Sequence, residues 1–447
     1  MLQEAAFSTN SIIQRGDSQV YMNNFAVVMD LIRARFNTAR RAIDLPGNRM
    51  RSEFIDKVLE SPAVKMLDMI EGAFSKSAEG AIIHHRQSLE TLVHLSTFCE
   101  TSDERDSIYA LLNIANDTTT LSETRENGII LPDYGKSVLD VYADFVIHCC
   151  QQSESLDIVC RPWAQPPSTS PLSKWRKTGD DNTIPSWIRT RDTMPFGNPS
   201  WRLKRRLHGN SLVGGSQKRL YNAHYRTRPA FSIGRDDRSG ACDGSLTTKG
   251  VLLADISEIS TRMADAIVTR KCLKLLGPVS WKTEPGNIVL PDAIWRTLCA
   301  DRDERGDPAT SSFRVGMLEL LQTNVLESTS SIDIEELLEN ELPEHVRRYL
   351  SVVRDTVWNR RIFRSQPNDY MRQPLVGLIP QRARVGDHIC ILYGCSVPVV
   401  LRKMVTSIDH WWEIVGEAYV HGIMDGEVFR QTPQTTLGHM EEEFFIW

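Results

Sequence analysis

Between residues 161 and 240 the chain carries eight prolines and 16 Lys or Arg against five Asp or Glu. Neither helical nor strand periodicity survives across it. Proline removes a backbone donor and fixes φ, so little regular structure is expected in this stretch. The densest cations are Arg202, Lys204, Arg205 and Arg206, beside Trp201 and His208. Clustered cations near aromatics suit phosphates and bases. The proline content argues for a solvated interdomain loop instead, and nucleic acid is not the favoured partner.

Before the break, residues 1–115 read as helical. Phe25, Val28, Met29, Ile32 and Phe36 keep the spacing of one buried face. A second candidate holds Phe54, Val58 and Leu59 up to Pro62, and a third runs from Leu89 through Leu92, Val93 and Phe98. Thr101 opens the clearest helix. Thr101 and Glu104 have capping-box spacing, and Asp103, Glu104 and Asp106 put negative charge at the positive end of the dipole. Ile108, Leu111, Leu112 and Ala115 then form one stripe, so Thr101–Ala115 is expected as a buried helix with Arg105 paired to Asp103, Asp106 or a carbonyl. Lys136 to Cys149 is the next candidate.

After the break, helical signals resume at 254–275, 291–300 and 344–363. The acidic run of Asp333, Glu335, Glu336, Glu339, Glu341 and Glu344 reads as a solvated face. Ala241–Ser245 reads as a turn around Asp243-Gly244. Beyond Pro374 the character becomes β. Residues 387–393, 397–402 and 413–420 predict an antiparallel meander, with Pro398 marking an edge strand and Asp425-Gly426 a hairpin turn. The expected fold class is α+β, a mostly helical body with a small antiparallel β unit near the C-terminus. The corresponding division is 1–20, 21–160, 161–250, 251–370 and 371–447.

Chemistry is hard to find. There is no dinucleotide or phosphate loop, no HExxH and no GxSxG. Cys149 follows His148, but adjacent residues on a helix point apart. The nine cysteines are an odd, scattered set that fits reduced thiols in the cytoplasm. No stretch reaches the roughly 20 apolar residues of a membrane span. No catalytic, cofactor-binding or metal-binding residue is assigned.

Several blocks together resemble the fungal heterokaryon incompatibility proteins that carry the HET domain. Asp103, Arg105, Asp106, Tyr109, Ala110, Leu111 and Leu112 match D-x-R-D-x-x-Y-A-L-L, with Asn113 where the family has glycine. Pro132, Asp133 and Tyr134 match its P-D-Y block. Pro185, Ser186 and Trp187 match the start of P-S-W-x-P-D-W, which Ile188-Arg189-Thr190 then leaves. Gly386, Asp387, Gly394, Pro398, Leu401 and Arg402 resemble a G-D…G…P…L-R block. Val415–Glu427 is close to V-G-x-A-Y-V-H-G-I-M-D-G-E, through Gly416, Tyr419, His421, Gly422, Met424, Asp425, Gly426 and Glu427. Gln3 and Glu4 look like the end of W-V-x-Q-E, which closes the family's TIR-related core.

The resemblance implies a HET-family remnant lacking most of that core, acting in allorecognition or cell-death signalling through contacts with other proteins. Whether it is a truncated gene model or a degenerate copy stays open. Two alternatives remain: a TIR-like nucleotide-processing enzyme, if the full-length protein includes the core, and nucleic-acid binding through 161–240.

Overall fold

The computed structural model describes residues 2–8, 11–43, 61–76, 82–118, 130–166, 184–191, 209–215, 218–278, 290–322, 331–407 and 409–447. They fall into two compact units. One holds the described residues up to Val138, and the other is built from Leu139–Pro166 and Lys174–Trp447. The basic cluster at 202–206 and the candidate helix at Phe54–Leu59 lie outside the described residues.

The first unit is not helical throughout. Helices Leu2–Phe7, Met22–Ile43, Pro62–Ala73 and Leu89–Leu95 alternate with two short hairpins, Ile12–Arg15 with Ser18–Tyr21 and Phe74–Lys76 with Ile82–His85. Ala26 and Met29 pack against Val64 and Leu67. Val28, expected on that buried face, points outward and is 50% exposed. Pro62 starts its helix, where its missing N–H costs nothing. Ser88 caps the next, its hydroxyl accepting from Thr91 N at 3.3 Å.

Thr101–Ala115 is buried as expected but is not one continuous α-helix. Asp106–Tyr109 is the only α-helical turn, set in a run of tight turns. At its start one Asp103 carboxylate oxygen accepts from both the backbone N and Nε of Arg105. Bonds such as Ile108 N to Arg105 O and Leu111 N to Ile108 O span three residues, the tighter 3₁₀ pattern. Ile108, Tyr109, Leu111 and Leu112 are all buried.

The second unit is organised by one sheet of nine strands. We label them β1 (Phe231–Arg235), β2 (Cys242–Ile259), β3 (Arg361–Ser365), β4 (Val376–Ile379), β5 (His388–Leu392), β6 (Val399–Val405), β7 (His410–Glu417), β8 (Tyr419–Val420) and β9 (Glu441–Ile446). β5, β6 and β7 form the expected antiparallel meander. β7 meets β9 through a parallel bridge, Trp412 to Ile446. β9 pairs with β2 over Leu246–Val251, and β2 pairs with β5 over Gly250–Asp255. The path β2–β5–β6–β7–β9 therefore returns to β2 and closes a ring. The far end of β2 pairs with β3, which leads on through β4 to β8, and β1 pairs with its beginning. Closure removes the unpaired edges that an open sheet would leave. Val251, Leu253, Ile389, Ile391, Val400 and Val415 belong to the buried cluster of the sheet. Each such side chain contributes roughly 1.5–3 kcal/mol when fully buried.

This overturns the expectation of a mostly helical body with a small β unit. The fold is α+β and not mostly helical, its second unit built on the nine-stranded sheet. The difference lies chiefly in β2. Residues 254–259 read as helical but belong to this strand, and the expected turn at Ala241–Ser245 is the bulged start of it. Asp243 accepts from Ser245 N at 2.8 Å, and Gly244 sits at φ 96°. Turn chemistry here bends a strand instead of reversing it.

Smaller corrections follow the same logic. β6 is paired on both sides, so it is no edge strand. Pro398 precedes it and offers only its carbonyl, which accepts from Ala418 N. The expected strand 413–420 divides at Ala418: β7 ends at Glu417, and β8 pairs with β4. Asp425-Gly426 leads into the helix Glu427–Gln431 and not into a hairpin. Between β2 and β3 the chain makes a helical excursion that includes Ser311–Gln322 and Glu344–Val357. Val346, Leu350, Val353 and Val357 form the buried face of the latter, as their spacing predicted. Asp333, from the acidic run, caps Ile334–Glu339 by accepting from Glu336 N.

Candidate functional site

In the first unit, the motif residues hold the chain together. Gln3 and Glu4 lie on the helix Leu2–Phe7. Arg105 is completely buried. Its Nε and Nη2 donate to Asp103 at 2.8 and 2.6 Å, and Nη1 donates to the carbonyls of Tyr134 and Lys136 at 2.7 and 2.9 Å. The bonds to Asp103 push its pKa up. Tyr109 Oη donates to Asp133 O at 3.1 Å, and Tyr134 Oη donates to Asp106 at 2.6 Å. The hydrogen bond to Asp106 is the main reason that the Tyr134 phenol is pushed up to about 12. The Arg105 and Pro132-Asp133-Tyr134 blocks are thus one locked structure.

In the second unit, Trp187 is buried and donates to Gly244 O at 2.8 Å. Ser186 Oγ donates to Trp447 O at 2.6 Å and accepts from Ile414 N at 2.9 Å. With Pro185, this block fixes the chain across β2, β7 and the residue after β9. Gly386 N donates to Ile256 O. Asp387 is buried and accepts two bonds from Arg402, at 2.8 and 2.9 Å, and one from Arg384 N. Gly394 O accepts from Leu156 N and Ser155 Oγ. Leu401 is core.

Past β7, Asp425 pairs with Arg302 at 3.1 Å, and the Arg302 guanidinium lies 4.1 Å from the centre of the Tyr221 ring. Glu427 accepts from Asp425 N, and Met424 sulfur accepts from Val420 N. Gly422 and Gly426 take positive φ at turns. His421 Nδ1 lies 3.4 Å from Tyr419 Oη, and burial lowers the imidazole's pKa. Asp425 and Glu427 thus meet through a backbone bond, while Asp387 and His421 make other contacts.

The structure does assemble a recess, around residues that the sequence did not single out. It is a cleft of about 90 Å³ beside the end of β7. Arg360, just after the helix Glu344–Val357, is buried and donates to Thr356 O, Asn210 O and Glu417 Oε1 at 2.6, 2.7 and 2.8 Å. Burial lowers its pKa, and Glu417 opposes that shift. Glu417 also accepts from Leu212 N, Val213 N and Ser211 Oγ at 2.9, 3.2 and 3.0 Å. Its carboxylate oxygens sit in a ring of donors.

Above it lies Arg189, whose Nη1 donates to Val415 O at 3.5 Å. The β6–β7 register shifts next to Gly416, which sits at φ 151°. A Cβ there would stand 2.9 Å from Pro380 and 3.4 Å from Arg189 Nη2. Only glycine leaves room for Pro380. Of the matched motif positions, Val415 and Gly416 line this cleft. The sequence hint for Arg189 was that it stands where the P-S-W block leaves the family pattern.

All nine cysteines are free thiols. Among the described residues no group of three or more His, Cys, Asp or Glu could hold a metal ion, and no helix is long and apolar enough to cross a membrane.

The closed ring of β2, β5, β6, β7 and β9 defines a small β-barrel carrying a helical excursion. Residues 357–445 match the Het-6 beta-barrel domain family, which fits the heterokaryon incompatibility proteins in general. The matched segment takes in β3 to β8 and nearly all of β9, while β2, which closes the ring, lies upstream of it. No curated protein and no solved structure matches the chain.

Proposed function

We propose that this protein acts in heterokaryon incompatibility or allorecognition signalling through contacts with other proteins, in the cytoplasm and without catalysis of its own. The match to the Het-6 beta-barrel domain supports the process. The observation that carries the mechanism is the use made of the polar motif residues. Arg105, Asp387, Arg402 and Asp425 each form an internal ion pair, and within the second unit Asp387–Arg402 and Arg302–Asp425 share no residue. An enzyme would gather such groups around one reacting atom. The free thiols support a reducing compartment.

Two assays test this reading. Purified protein incubated with NAD and other nucleotides should cleave none above a heat-denatured control. The same chain expressed alone in a fungal host should leave growth unchanged, with arrest only when an incompatible partner is present. Nucleotide cleavage would reverse the reading and show that this chain has an active site of its own. Asp387→Asn, His421→Ala, Asp425→Asn and Glu427→Gln would then locate the activity.

A further inference from the structure

We propose that Cys160 and Cys395 form a redox-active thiol pair, which a small peroxide entering the cleft beside β7 converts to a disulfide. The fold brings them together from segments more than 200 residues apart in sequence. Cys160 ends the 3₁₀ turn Asp157–Val159, and its N donates to Asp157 O at 3.0 Å. Cys395 lies in the turn from β5 to β6. That turn is docked on the 3₁₀ segment by three bonds. Leu156 N and Ser155 Oγ each donate to Gly394 O at 3.0 Å, and Ser396 N donates to Asp157 Oδ1 at 2.6 Å. Cys395 Sγ donates to Leu156 O at 3.6 Å, and its sulfur is also hydrogen-bonded to the Cys160 thiol. Both side chains are buried, so water does not compete for these contacts.

Access sets this pair apart from the other buried thiols. Cys160 lines the cleft, and the other cysteines do not. The volume of about 90 Å³ has room for several waters, each needing roughly 10–15 Å³. Hydrogen peroxide therefore fits, and a peptide disulfide does not. The bond to Cys160 and then burial push the Cys395 thiol well above its ordinary range. Cys395 keeps its proton, so Cys160 is oxidised first. The Cys160 sulfur takes one peroxide oxygen as the O–O bond breaks, and the thiol proton leaves with the other oxygen as water. The Cys395 sulfur then attacks the sulfenic sulfur. The S–S bond forms as the S–O bond breaks, and the Cys395 proton leaves with that oxygen as a second water. Two thiols are oxidised and one peroxide is reduced. Sulfurs already in contact have only to close to about 2 Å. The product turns a hydrogen-bonded dock into a covalent tie between the 3₁₀ segment and the barrel.

The experiment exposes the folded full chain to hydrogen peroxide. At timed points the remaining thiols are alkylated in denaturant, and the digest is mapped by mass spectrometry. The expected product is a Cys160–Cys395 cross-linked peptide, short of two hydrogens and returned to free thiols by dithiothreitol. Cys160 should be consumed roughly tenfold faster or more than Cys299 and Cys390, which are buried away from the cleft. Peroxide added after unfolding in guanidinium chloride should erase that ranking, because only the fold provides it. Cys395→Ser should stop the reaction at the sulfenic acid of Cys160, trapped by dimedone. Cys150→Ser, which changes a third buried thiol near Cys395, should leave the cross-link in place. Hydrogen exchange at Leu156 and Ser396 should slow in the oxidised protein. The rates and the peptide map of the unsubstituted chain decide the matter even where a serine variant fails to fold. A cross-link from Cys160 to Cys150, consumption of Cys160 no faster than that of Cys299, or oxidation that yields no Cys160–Cys395 peptide would overturn the proposal.

Discussion

Arg105 and Arg360 are both buried arginines that hold distant pieces of chain, and they do so in opposite ways. Arg105 takes its carboxylate from two residues away, Asp103, and its carbonyls from Tyr134 and Lys136. Arg360 takes its carboxylate from Glu417 on β7 and a carbonyl from Asn210. The first is a local pin whose partners lie in two neighbouring sequence blocks. The second joins three segments widely separated along the chain. A buried guanidinium must be fully paired in either case, because leaving it unpaired costs several kcal/mol. What differs is how far the damage spreads when the pairing is lost.

Removing the long-range anchor should have the largest effect. Glu417→Ala leaves Arg360 buried without its carboxylate and takes the acceptor from Leu212 N, Val213 N and Ser211 Oγ. The expected loss is about 3–5 kcal/mol, read by denaturant unfolding. Hydrogen exchange should quicken at Leu212 and Val213, more than 200 residues before the substitution. A loss confined to β7 would break the comparison.

Arg105→Lys tests the local pin. Lysine keeps the charge, but its compact head cannot serve Asp103 and two carbonyls in the geometry of a planar fork. The expected loss is about 2–3 kcal/mol, from hydrogen bonds of a charged donor. Faster exchange should stay within 103–136. Faster exchange in the barrel strands would count against a local role.

The same contrast explains what could be read from the sequence. The meander of β5, β6 and β7 was legible because each strand is short and bounded by turn residues. Arg105, Tyr109 and the Leu111-Leu112 pair were legible because their roles depend on near neighbours. β2 was not. Its start carries Asp243-Gly244, which has turn chemistry, and its end has spacing that also suits a helix. Apart from β1 beside its beginning, its partners β5, β9 and β3 come more than 100 residues later. Arg360 and Glu417 escaped notice for the same reason. A lone arginine and a lone glutamate carry no spacing signal, and the fold alone brings them to 2.8 Å.

Tyr109→Phe should cost less. It deletes one neutral hydrogen bond, Oη to Asp133 O at 3.1 Å, and leaves the ring buried. About 0.5–1.5 kcal/mol is expected, again by denaturant unfolding. A loss as large as that of Arg105→Lys would mean that the tyrosine, and not the arginine, holds the two blocks together.

The smallest effect is a titration. Tyr134 donates to Asp106 at 2.6 Å, and this bond is the first reason its phenol is pushed up to about 12 from an ordinary 10.0. Burial and the nearby charge of Asp106 act in the same direction, while Arg105 opposes them. The raised value means that the folded state holds this proton more tightly than the unfolded state does. Its contribution to stability is therefore complete below pH 10.0 and is lost as pH rises toward about 12. Asp106→Asn removes the charge while keeping an acceptor oxygen, so the phenol should titrate closer to its ordinary value. Phenolate absorbance, taken as the difference between each protein and its Tyr134→Phe counterpart, isolates this group. Tyr134 is partly open to water, so unfolding free energy at neutral pH should hardly change. If Asp106→Asn leaves the titration where it was, the hydrogen bond does not hold the proton. Arg105 would then stand as the one electrostatic tie between the two motif blocks.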